Sequence, residues 1–173
     1  MVRKIIALSL ALAPALLPGA TAVTADVSAG VLPTLAIGRH AHMCFGTLSA
    51  GAGGTLTVSP RGTVTVNGVH AIAGNPAAAL FQVSGAAGQT YSVAVPDHID
   101  LTRDGGNDTM RVVFNQVEIN NDNTVHDASV AAVDGTLGNS GNDWIRVGGT
   151  VTVARDQAVG NYGGTFTITV NHR

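Results

Sequence analysis

The sequence predicts an all-β domain, best matched by a β-sandwich, from three observations. Apolar and polar side chains alternate with period two along most of the chain, as in strands with one buried face. Helical periodicity is almost absent beyond the first two dozen residues. Gly, Asn and Asp clusters separate the alternating stretches: GNP at Gly74, RDGGND at Arg103, NNDN at Asn120 and GNSGND at Gly138. These are turn-forming residues.

The first 25 residues read differently. Arg3 and Lys4 precede an apolar run from Ile5 to Leu17, and small residues follow from Gly19 to Ala25. That order is a secretory signal peptide, with cleavage expected after Ala22 or Ala25. The run is shorter than the roughly 20 residues that span a bilayer, and Pro14 and Pro18 interrupt it. No later segment is apolar enough to span a membrane. Residues 26–39 are expected to form an extended N-terminal arm, and residues 40–173 the sandwich domain.

In GTLTVSPRGTVTV, from Gly54 to Val66, Leu56, Val58, Val64 and Val66 share one face and threonines take the other. SPRG between them is turn chemistry, so the segment predicts a β-hairpin. Further strands are expected at Leu80–Val83, Thr90–Val95, Met110–Phe114, Ser129–Val133, Trp144–Val153 and Gly164–Val170. The polar stretch Asn115–Asp127 reads as a long exposed loop. Seven or more short strands at this spacing suggest a sandwich. An up-and-down barrel is the competing architecture, and the uneven loop lengths favour the sandwich.

The two ends carry complementary patterns. From the C-terminal side, Tyr162, Gly164, Phe166, Ile168, Val170 and His172 alternate strictly. Such a strand belongs in the middle of a core, yet no strand follows to pair with it. In the arm, Val27, Val31, Leu35 and Ile37 fall on odd positions. Pro33 donates no hydrogen bond, so this segment suits a sheet edge.

Composition excludes several functions. Without Arg3 and Lys4, seven basic residues remain, all arginine, against eleven acidic ones, a net charge of −4. Nucleic acid calls for a basic surface instead. Lysine-based covalent chemistry is excluded with the lysine, and 4% aromatics are unlike an aromatic-lined sugar groove. Cys44 stands alone, so disulfides do not hold the domain. No GxSxG elbow surrounds a serine, and Glu118 is the single glutamate, which disfavours a paired-carboxylate glycosidase. No enzyme is expected.

His40, His42 and Cys44 in RHAHMCFG would project in line from a strand, and imidazole and thiolate suit zinc or copper. No fourth ligand is identifiable, and same-face neighbours stand about 7 Å apart, so no metal site is expected. The Asp/Asn/Gly loops match no calcium-loop spacing. No cofactor is expected.

HMCFGTLSAGAGGTLTVSPRGTVTV resembles the opening of DUF4402, a family of exported bacterial proteins. FQVSGAAGQTYSVAVP at Phe81, WIRVGGTVTV at Trp144 and GNYGGTFTITVNHR at Gly160 continue the resemblance in order across nearly the whole chain after residue 25. That family looks related to pilin-like and spore-coat-U-like domains of the chaperone–usher route. Such pilins carry a glycine fourteen residues from the C-terminus, matched by Gly160, and a penultimate tyrosine, replaced here by His172. The resemblance implies an incomplete immunoglobulin-like antiparallel sandwich lacking its last strand, which the arm of the next subunit fills. It also implies a periplasmic chaperone and an outer-membrane usher as partners, and a cell-surface or extracellular fibre as destination.

The resulting expectation is a structural subunit of a fibre or pilus-like appendage, polymerising by donor-strand complementation. Val27, Val31, Leu35 and Ile37 would donate; Gly160, Tyr162, Phe166, Ile168, Val170 and His172 would line the acceptor groove. Burying four aliphatic side chains contributes on the order of 6–12 kcal/mol before ordering costs. The alternative is a self-contained monomeric periplasmic or surface binding domain, whose own first strand completes its sheet.

Overall fold

A computed structural model describes residues 26–29, 34–128 and 132–173. The chain divides into two units, Met1–Leu32 and Pro33–Arg173. In the first, the described residues 26–29 have no regular secondary structure. All sheets of the described residues belong to the second.

The described residues form fourteen strands, in chain order β1 (Ala36–Ala41), β2 (Thr47–Ser49), β3 (Gly54–Val58), β4 (Val64–Asn67), β5 (His70–Ala73), β6 (Ala79–Ser84) and β7 (Thr90–Ala94). Then come β8 (His98–Arg103), β9 (Thr109–Ile119), β10 (Thr124–Asp127), β11 (Val133–Thr136), β12 (Asn142–Val153), β13 (Tyr162–Gly163) and β14 (Thr169–His172). Among the described residues there is no helix. The fold is all-β and antiparallel, arranged as a sandwich.

The larger sheet has nine strands along the path β1-β6-β12-β9-β8-β13; β10 joins β9, and the β3–β4 hairpin joins β12. A second sheet has the order β11-β7-β14, and β2 pairs with β5 alone. Apolar side chains of both main sheets form one buried cluster, including Phe81, Val83, Phe114, Ile119, Ile145 and Val147 from the larger sheet and Tyr91, Val93 and Val133 from the smaller.

β12 is the spine. Its first half pairs with β6 and its second with β3, while β9 runs along the other side with a register shift between Gly148 and Thr150. Glycine is required there: a Cβ on Gly148 would stand 2.7 Å from both the Pro60 Cδ and the Val58 carbonyl oxygen.

The expected hairpin is present as β3 and β4. The Gly62 amide donates to the Ser59 carbonyl at 3.0 Å, and Gly62 adopts a positive φ of 83°, a conformation that suits glycine. Leu56 faces Val66 and Val58 faces Val64 across the ladder. Leu56 and Val58 are fully buried, whereas Val64 and Val66 are exposed. The covered part of that face ends at β4, which among the described residues pairs with β3 only.

Several boundaries differ from the sequence expectation. Asn115–Asp127 is not a loop: β9 continues to Ile119, turns at residues 120–123, and returns as β10. Val117 and Ile119 are fully buried, so inward valine and isoleucine hold the strand although most outward residues are polar. HIDLTR forms β8, with Ile99 and Leu101 half-buried at alternate positions. Of the strand expected at Ser129–Val133, residues 129–131 lie outside the described residues, and β11 starts at Val133. Ala36–Arg39, expected in the arm, form the first part of β1, which pairs with β6.

Candidate strand-acceptor edge

The C-terminal segment does not form one strand. Residues 162–163 add to the larger sheet as β13 beside β8, whereas residues 169–172 add to the smaller sheet as β14 beside β7. Residues 164–168 cross from one sheet to the other without a ladder. Burial still alternates through the crossing. Ile168 is buried and Phe166 and Val170 are half-buried, while Thr165, Thr167 and Thr169 are exposed. The periodicity therefore reports which side chains face the core, but not which sheet carries the backbone. The segment is peripheral in both sheets, not central as its pattern suggests.

The residues singled out in the sequence each have defined neighbours here. Tyr162 donates its hydroxyl to the Ala158 carbonyl at 2.7 Å and accepts from Gln157 Nε2 at 2.8 Å, fixing the turn before β13. Gly160 lies against Arg103, where a Cβ would meet the side-chain Cδ at 2.8 Å. Phe166 stacks obliquely on Phe114, 4.4 Å between ring centres, and meets Phe81 edge-on at 6.0 Å. A Cβ on Gly164 would stand 3.0 Å from Leu101 and 3.6 Å from Ile99, so the crossing backbone lies over these half-buried residues. Val170 faces Val93 across the ladder, and His172 faces Tyr91, its Nδ1 2.7 Å from Gln89 Nε2.

β14 has one neighbour, β7, among the described residues. Its outer edge offers the unpaired backbone groups of a four-residue strand, a template for a further strand.

Between the sheets, under β7 and β11, lies a polar tie. The Tyr91 hydroxyl donates to Asp143 Oδ2 at 2.7 Å, while Asp143 Oδ1 accepts the Asn121 and Trp144 amides at 3.1 and 2.7 Å. Both side chains are buried. Burial, and secondarily the carboxylate beside it, pushes the Tyr91 phenol pKa upward. Nothing in the residue types alone signalled this pair.

The arm residues do not share one environment. Val27 is exposed, and Val31 lies outside the described residues. Leu35 packs against the core cluster close to Gly85, where a Cβ would stand 3.0 Å from it. Ile37 is held in β1 opposite Val83. Among the described arm residues, 26–29, 34 and 35 lie outside any ladder, and the ladder begins at Ala36.

His40, His42 and Cys44 do not line one strand face. β1 ends at Ala41 after a register shift, and Cys44 forms an isolated bridge with Ala77. The His40 ring stands edge-on to Trp144, 4.5 Å between centres, and contacts Gln82 Oε1 at 3.3 Å. Among the described residues, no three His, Cys, Asp or Glu side chains gather as a metal site would require.

No curated protein and no solved structure matches the chain. The family described as a domain of unknown function, DUF4402, matches residues 35–172, from Leu35 beside the core to His172 at the end of β14, and the chain belongs to that family.

Proposed function

We propose that this protein is a structural subunit of a surface fibre, assembled by adding the N-terminal arm of one copy to the outer edge of β14 in the next. The observation that carries the reading is that edge: β14 pairs with β7 on one side only among the described residues, with half-buried Val170 at its inward position and half-buried Phe166 in the crossing just before it. An added strand would satisfy the backbone groups, and its alternate side chains would cover the apolar ones. The donor is the part of the arm before Leu35, with Val27 and Val31 on one face; Leu35 and Ile37 are excluded because Leu35 packs on its own core and β1 already uses Ile37. Residues 1–25 serve as an export signal, and a periplasmic chaperone and an outer-membrane usher shield the open edge before assembly.

The test compares the chain from Asp26 onward with one that starts at Thr34. Size-exclusion chromatography and electron microscopy should find concentration-dependent polymers for the first and monomers for the second. Polymers that persist without the arm would refute the mechanism. A second reading, a self-contained monomeric binding domain, is favoured by Leu35, which packs on its own core. A full-length chain that stays monomeric at every concentration would select it.

A further inference from the structure

On the outer face of the larger sheet, away from β14, an open groove of about 610 Å³ is walled by Pro60, Pro76 and Leu80 and contains Arg61, Arg146 and Glu118. Glu118 on β9 lies opposite Arg146 on β12, and Arg61 reaches it from the β3–β4 turn. Glu118 is 3% exposed, an unusual burial for a carboxylate. Its Oε1 accepts from Arg61 Nε at 2.7 Å, while Arg146 Nη1 stays 3.8 Å from Oε2.

The two guanidiniums are held by more than this carboxylate. Arg61 Nη2 donates to the Asn123 carbonyl at 2.9 Å, and Arg146 Nη1 donates to Asn120 Oδ1 at 2.9 Å. Arg61 Nη1 and Arg146 Nη2 take no partner among the described residues. Two positive charges against one negative leave the groove with an excess charge of +1, in a chain whose net charge is −2. Fixed forks of this kind match a carboxylate, and an apolar wall with a few convergent polar groups is the usual make-up of a small-molecule site.

We propose that this groove binds a small organic carboxylate, its head on Arg61 and Arg146 and its apolar body against Pro60, Pro76 and Leu80. Benzoate is a suitable probe, with benzyl alcohol as its uncharged counterpart and inorganic phosphate as an anion without an apolar body. Titration of the chain from Asp26 onward, followed by ¹H–¹⁵N spectra, should give saturable benzoate binding with shifts in the Arg61 and Arg146 Nε–H signals. Arg61→Gln and Arg146→Gln should each weaken it about tenfold or more. Arg146→Lys should fall between, keeping the charge but not the fork. Arg146 makes no direct hydrogen bond to Glu118, so Arg146→Gln remains informative if Arg61→Gln fails to fold. The proposal is overturned if benzoate binding does not saturate, if folded Arg146→Gln binds as well as the parent, or if benzyl alcohol or phosphate binds as tightly as benzoate.

Discussion

Tyr91 on the smaller sheet and Asp143 on the larger one are joined by a buried 2.7 Å hydrogen bond. With the Asn121 and Trp144 amides on its other oxygen, the Asp143 carboxylate receives three donors. A buried carboxylate is costly unless its lone pairs are filled, so this contact fixes the two layers together as well as satisfying a charge.

Tyr91→Phe keeps the ring packing and removes one donor. The variant should lose about 1–3 kcal/mol, the cost of leaving a buried polar group unsatisfied. Chemical denaturation of parent and variant measures the difference; equal midpoints would show that the contact contributes nothing.

The same phenol gives the fold an alkaline limit. Its ordinary pKa is about 10, and burial together with Asp143 raises it in the folded state. Above pH 10 the unfolded chain releases a proton that the folded chain retains, so stability falls as pH rises. The contribution is fully present below pH 10 and lost above it. Stability measured from pH 8 to 11 should decline more steeply in the parent than in Tyr91→Phe.

Two glycines should respond oppositely to alanine. Gly148→Ala forces a methyl against Pro60 and Val58 and should cost about 1–3 kcal/mol. Gly38 on β1 has nothing within 4 Å of an added Cβ, so Gly38→Ala should be neutral or stabilising by up to about 1 kcal/mol. Thermal melts of both variants check the pair.

Phe166→Ala removes the ring that contacts Phe81 and Phe114 where the segment changes sheets. Because the ring is half-buried, the loss should be about 2–3 kcal/mol, below the range for a fully buried phenylalanine. Urea titration reads it directly.

If β14 accepts a donor strand, amide exchange will report it. Outward-facing amides of Thr169–His172 should exchange quickly in the monomer and slowly in the polymer, while inward-facing ones stay protected by β7 in both. Equal exchange of the outward set in both states would exclude addition at this edge.

Much of the fold was legible in the sequence. Leu56, Val58 and SPRG specify the β3–β4 hairpin through local alternation and turn chemistry, and Trp144–Val153 falls within β12. β8 was missed although HIDLTR carries the same alternation, and β9 was cut short because most outward residues near its end are polar. In each case the inward positions, Ile99 and Leu101 or Val117 and Ile119, held the signal. The candidate edge was only half legible: alternation identified Phe166, Ile168 and Val170 as facing the core, but not the change of sheet between Gly163 and Thr169.

The sequence by itself determined the all-β class, the main turns and the inward face of most strands, because period-two alternation and turn residues act over a few positions. Only the tertiary structure decided that Tyr91 meets Asp143, that Arg61 and Arg146 converge on Glu118, and that Ile37 belongs to its own sheet. Those contacts join residues up to 57 apart in the chain. Their register is selected by long-range packing, which local periodicity does not encode.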